Sequence, residues 1–252
     1  MASPARRHRE RLLAATLAAG GSAAIAAPPP SDGPAATAYD QMLMQLAEDR
    51  RRLHDIQSIE RKIALKAELI GSYDAWVDGA LAEAEASGRA VQDEVVATMM
   101  TWAIDIQDWP RAVQLGRHVL RYGLALPERF KRGAATLLVE EVSEAAIAIL
   151  SKGGGTFPRE ILEQIHDLTA DCDMPDEVRA KLFKAIGLAL NAAADAASDD
   201  DASQIAGFAA ACRAEALAAF QRALELNPAA GVKKNIEALE RAIRKASAPA
   251  GA

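Results

Sequence analysis

The chain has 252 residues; half are hydrophobic, a quarter are charged, 4% are aromatic, and the net charge is −6. Much of the apolar content is alanine, the best helix former, whereas sheets draw on the β-branched and aromatic types that are thin here. That composition excludes an all-β sandwich or barrel. It also excludes a globally basic polyanion binder, so any nucleic-acid role needs a local basic patch. Two cysteines, Cys172 and Cys212, are too few for a disulfide framework or a thiolate zinc site. No apolar run is long enough to cross a membrane.

Residues 1–38 read as a basic arm followed by a flexible Ala/Gly/Pro linker. Arg6, Arg7, Arg9 and Arg11 surround His8, with Glu10 as the opposing charge within residues 1–11. The same stretch imitates a secretory signal, with a basic start and Ala24-Ile25-Ala26 as a cleavage-site look-alike. Its apolar part is mostly Ala and Gly, which bury too little area to partition into a bilayer, and composition therefore favours the arm. The linker would let that arm search widely around the body.

Residues 39–88 predict a long helical hairpin. Met42, Leu46, Leu53, Ile56, Ile63 and Ile70 fall at steps of three, four and seven along one helix over 39–70, with charges on its other faces. Heptad-like spacing of this length suits an oligomeric coiled coil; one long helix packed on its own chain is the alternative. Gly71-Ser72 breaks the pattern, and residues 73–86 form the returning helix.

Residues 89–246 predict antiparallel helical hairpins. Helices are expected over 91–106, from Trp109-Pro110 to Gly123, and over 133–150, 161–170, 178–190, 214–226 and 231–245. Ala214 to Leu226, closed by Asn227-Pro228, has small residues ahead of Phe220, the packing style of a tetratricopeptide-type hairpin. Residues 191–203 are acidic and of low complexity and read as a mobile loop. Residues 247–252 are expected to be a disordered tail. The expected class is all-α.

Chemistry is sparse. Gly153 to Gly155 lacks the Gly-Lys-Ser/Thr order of a phosphate loop. The four histidines share no metal-ligand spacing, and neither a cofactor nor a metal is expected. Asp171, Asp173, Asp176 and Glu177 are the one acidic cluster that could hold Mg²⁺ for phosphodiester hydrolysis. The same residues also suit a helix start, with Asp173 in a capping box, Pro175 in the first turn and acids facing the positive helix end. Glu140, Glu141 and Glu144 read as a solvated helix face. The basic arm is the main candidate for phosphate contacts, and Lys233 and Lys234, followed by Arg241, Arg244 and Lys245, form a second, more dilute one.

Several segments resemble the small terminase subunit of contractile-tailed temperate bacteriophages, a family often labelled the terminase endonuclease subunit. They are Ser3 to His8, Tyr39 to Leu43, Tyr122 to Leu124 ahead of Pro127, Asp173 to Leu182 with Gly187-Leu188, and Ala230 to Lys234. The resemblance runs in order along almost the whole chain, and it makes Ser3 to His8 part of the working protein. It implies a role in packaging phage DNA in the host cytoplasm: the small subunit recognises the cohesive-end site on double-stranded DNA and partners the large subunit, which carries the ATPase motor. Self-association, away from any membrane, would multiply the weak grip of each arm. A metal-dependent endonuclease cutting at that site and a protein-binding helical adaptor are the alternatives, and only the first of these needs Mg²⁺.

Overall fold

The structure, a computed structural model, describes residues 10–11, 26–152, 155–198 and 203–247. Among them are ten α-helices and a single isolated bridge, between Ala27 and Val91. The fold is all-α. The chain divides into two compact units, Met1–Ala134 and Ala135–Ala252.

The first unit contains α1 (Gly33–Asp55), α2 (Ile59–Leu69), a 3₁₀ turn (Ile70–Ser72), α3 (Asp74–Ser87), α4 (Glu94–Asp105) and α5 (Trp109–Arg121). The expected long helix over 39–70 is two helices. Ile56 is extended, and the Ser58 hydroxyl accepts from the backbone N–H of Arg61, which caps a new helix. Gln45 Nε2 donates to Ser72 Oγ at 2.9 Å, so α2 returns along α1. The hairpin thus turns at residues 56–58 and not at Gly71-Ser72. The linker is also shorter than expected, because α1 begins at Gly33 with proline in its first turn, where the missing N–H is harmless.

Aromatic residues organise this unit's core. Tyr39 stacks on Trp76 at 5.8 Å, and Tyr73 meets Trp102 edge-on at 5.9 Å. Asp93 caps α4, accepting from the N–H groups of Val95 at 2.8 Å and Val96 at 3.1 Å, while Trp76 Nε1 donates to its other oxygen at 2.8 Å. The segment before α1 is strapped down: Ala26 N donates to Tyr122 O at 2.8 Å, and Gln92 N donates to Ala27 O at 2.7 Å. Farther upstream, the backbone of Arg11 lies against α3 at Gly79. A Cβ built there would stand 2.3 Å from the Arg11 carbonyl oxygen, so only glycine permits the approach.

The second unit contains α6 (Ala134–Leu150), α7 (Arg159–Leu168), α8 (Asp176–Ser198), α9 (Ser203–Leu226) and α10 (Lys233–Ser247). Only residues 199–202 separate α8 from α9, so the two pack as an antiparallel pair. Residues 191–198 are helix and not loop, because the alanines of that stretch extend α8 despite its low complexity. The Phe220 ring fills the space over Gly187, where a Cβ would meet it at 2.7 Å. Leu190, Ala194, Cys212, Ala216, Phe220 and Leu239 join α8, α9 and α10 in one core. Cys212 is buried and Cys172 half-buried, both as free thiols.

Candidate nucleic-acid interface

The acidic character of the chain belongs to one unit. Residues 1–134 hold 17 Lys and Arg against 17 Asp and Glu, whereas residues 135–252 hold 12 against 18. The whole net charge of −6 therefore resides in the second unit, and the first is electrically balanced overall. A local excess of cations is easier to build on the balanced unit, because fewer carboxylates oppose it.

Residues 127–133 supply such an excess. This loop follows α5 and carries Arg129, Phe130, Lys131 and Arg132 in succession. The Arg129 guanidinium lies over the Phe130 ring, 4.7 Å from its centroid. Packing of the loop and the nearby positive charge of Arg50 draw Arg129 below the usual guanidinium range, while Glu94 and Asp105 oppose that shift. Two arginines from distant parts of the sequence are thus brought together. Arg50 is fixed in place by Glu94 Oε1 at 2.5 Å and Thr98 Oγ1 at 2.8 Å. Between them opens a cleft of roughly 530 Å³ whose charged lining is Arg50 and Arg129 together with Glu94 and Glu128, with Tyr39 and Gln92 beside them. Lys131 and Arg132, farther along the same loop, are exposed. Three cations around one aromatic in four residues is the signal present in the sequence, and net charge and composition do not register it.

The predicted DNA-binding residues fall partly outside the described residues. Arg6, Arg7, His8 and Arg9 lie outside the described residues. Arg11 is described, with an exposed side chain and its backbone held at Gly79. Lys233 and Lys234 occupy the first turn of α10, both exposed. Two cations at the positive end of a helix oppose its macrodipole, an arrangement relieved by a bound anion. Lys184 approaches the same turn, its Nζ donating to Ala230 O at 2.8 Å.

The acidic candidates do not converge. Asp171, Asp173, Asp176 and Glu177 are all exposed along the α7–α8 loop and the first turn of α8. Among the described residues, no three His, Cys, Asp or Glu side chains group to hold a metal ion. Nor does Asp173 close the expected capping box: the Pro175 carbonyl accepts from the N–H groups of Val178 and Arg179 instead. Arg179 holds this motif in place. Its guanidinium donates to Thr169 O at 2.8 Å, Thr169 Oγ1 at 3.2 Å and Cys172 O at 2.9 Å, closing the end of α7. Lys181 bridges Glu140 at 3.0 Å and Glu144 at 2.5 Å, so Glu140 is a buried ion-pair member and not part of a solvated face.

The expected oligomerisation stripe is largely interior. Met42, Leu46 and Leu53 are buried in the first unit's own core and offer no surface to a second copy. Ile56 and Ile70 are half-buried. Ile63 is exposed, and its neighbour one turn back, Ile59, more so. The stripe turns inward because the chain reverses at residues 56–58 and α2, α3 and α4 cover α1.

Two histidines have defined settings. His118 is buried, and desolvation, reinforced by Arg121, lowers its pKa to about 4. His166 Nδ1 contacts Asp167 at 3.2 Å on an exposed edge of α7. Among the described residues, no helix is long and apolar enough to cross a membrane.

A family model for the phage small terminase subunit matches residues 43–177, a span that contains Arg50 and the 127–133 loop. The terminase, endonuclease subunit of Escherichia phage P2 is 39% identical over 249 residues, covering 99% of this chain and 89% of the relative. No solved structure matches. An all-α chain with cations gathered on its balanced unit, matched by that family model over more than half its length, belongs to the phage small terminase subunit family.

Proposed function

We propose that this chain binds double-stranded phage DNA at the packaging site and brings it to the large, ATP-hydrolysing terminase subunit in the host cytoplasm. The observation that carries the reading is the cation cluster of Arg50, Arg129, Lys131 and Arg132 on a unit without net charge. Guanidinium and ammonium groups on a loop contact phosphates without reading bases, so this surface supplies affinity and register. The N-terminal Arg6, Arg7, Arg9 and Arg11, with His8 among them, belong to the same unit and are already counted in its charge balance. Lys233 and Lys234 offer a separate anion contact on the second.

Anisotropy titration of a cohesive-end duplex over a salt series tests this. Replacing Arg129, Lys131 and Arg132 together by alanine should weaken binding and flatten the slope of log K against log salt by about 0.9 for each phosphate left without its cation. Identical affinity and slope for the two proteins would refute it. The name of the phage P2 relative favours a second reading, in which the chain itself cleaves DNA, although the expected Mg²⁺ ligands Asp171, Asp173, Asp176 and Glu177 are spread along an exposed loop and helix turn and do not gather. Nicking by the pure chain with Mg²⁺, abolished by Asp173→Asn plus Asp176→Asn, would establish that reading.

A further inference from the structure

The second unit carries a feature that DNA binding does not use. Between α7, α8 and α9 opens a cleft of roughly 650 Å³ with Phe183, Ile186 and Leu190 as its apolar floor. Carboxylates stand on both walls, Asp167 on α7 and Glu215 on α9. The other rim charges are engaged within the chain: Glu163 pairs with Arg159 at 3.0 Å, and Arg222 pairs with Glu225 at 2.9 Å. Among the described residues, Asp167 pairs with His166 alone and Glu215 forms no salt bridge. The cleft therefore presents an apolar floor between two uncompensated negative charges.

One further exposed apolar side chain stands on α9 beyond the cleft. Phe208 lies seven residues before Glu215, on the same face of α9, and is 47% exposed. From Phe208 to Arg222 the helix advances about 21 Å, the length of a helix of about 14 residues. Apolar strip, length and flanking charge together match one mode of recognition, an amphipathic helix laid in a groove. Negative walls repel a polyanion, and they select a helix with Lys or Arg beside its apolar stripe.

We infer that this groove of the second unit docks a basic amphipathic helix presented by a partner polypeptide. The inference stands on the second unit alone and is independent of the DNA contacts proposed for the first. The apolar stripe of the incoming helix would cover Phe183, Ile186 and Phe208, while its cations would meet Asp167 and Glu215.

The test uses the full chain and three labelled 16-residue peptides, read by fluorescence anisotropy. One peptide carries a leucine stripe flanked by lysines, the second the same stripe flanked by glutamates, and the third the first composition scrambled. The leucine–lysine peptide should bind saturably and the other two at least about tenfold more weakly, the scale of two ion pairs and an apolar stripe. Asp167→Lys combined with Glu215→Lys should reverse the preference toward the glutamate peptide. Both substituted positions are exposed, so the variant is expected to fold, with its helical circular dichroism as the check. Phe208→Ser should weaken the leucine–lysine peptide severalfold. Absence of saturable binding by the leucine–lysine peptide, equal binding of the scrambled peptide, or an unchanged preference in the folded charge-reversed variant would each overturn the inference.

Discussion

Gly79→Ala separates the first unit's body from its N-terminal segment. A Cβ at this position stands 2.3 Å from the Arg11 carbonyl oxygen and 2.8 Å from the Arg11 Cα, whereas ordinary contact begins near 3.4 Å. The obstacle is backbone, which cannot swing aside as a side-chain tip can, so the segment must retreat by about 1 Å. On a steep dispersion potential a gap of that size forfeits roughly half of the attraction between each atom pair. Gly79 is interior to α3, and alanine favours the helix by roughly 0.5–1 kcal/mol. The body should therefore keep or raise its unfolding midpoint while the segment loosens. Trypsin cleavage of the Arg11–Leu12 bond reports the loosening, and a loss of about 1.4 kcal/mol in docking corresponds to about tenfold faster cutting. The expected pattern is accelerated cleavage at Arg11 without a fall in thermal stability. Unchanged cleavage would show that Gly79 does not hold the segment.

Two buried groups should oppose each other in acid. Desolvation raises the Asp93 carboxyl to about 6 despite the hydrogen bonds from Trp76, Val96 and Val95, so the fold binds its proton more readily than the unfolded chain. Its contribution to stability falls as pH rises from about 4 to about 6. His118, lowered to about 4, binds its proton less readily when folded, so its contribution rises from about pH 4 to about 6.5. Each effect is on the order of 3 kcal/mol, so their sum is nearly flat. Urea midpoints between pH 4.5 and 7 should fall toward acid in Asp93→Asn and rise toward acid in His118→Gln; flat profiles in both would refute the assignment. Phe220→Ala should destabilise the second unit by roughly 3–5 kcal/mol in urea denaturation, because the ring is fully buried against Gly187. Arg179→Lys should cost about 1–3 kcal/mol in the same assay, since one ammonium cannot reproduce the forked donors reaching Thr169 and Cys172.

Helix content and most turns were legible because alanine propensity, apolar stride and Gly or Pro punctuation agree at those places. Trp109-Pro110 opens α5, and Asp108 caps it by accepting from Arg111 N at 3.2 Å. The break at residues 56–58 was not legible. Leu53, Ile56 and Ile63 keep their stride across it, and periodicity cannot register a cap whose strength depends on where the next helix must pack. The same stripe shows that Met42 and Leu46 are covered but not by what, so an interior face looks like one made for a second copy. Over residues 191–198, charge and repetition suggest a loop, and alanine propensity prevails. At the candidate site, Arg129 to Arg132 stand in plain view, but the approach of Arg50 from 79 positions earlier is a tertiary fact. The roles of Arg179 and Lys181 depend equally on where α7 and α6 end up.

The two anchorages of the N-terminal segment set how far its cations can travel. With the backbone fixed at Arg11, Arg6 is five residues from its post, and a fully stretched chain covers no more than about 18 Å over that distance. A leash beginning at residue 38 would extend over about 110 Å. Accessible volume scales as the cube of the radius, so docking at Gly79 shrinks it by roughly two hundredfold and raises the local density of positive charge beside α3 accordingly. The arm is better described as a short bristle than as a fishing line: DNA must already lie close to α3 before these arginines can touch it.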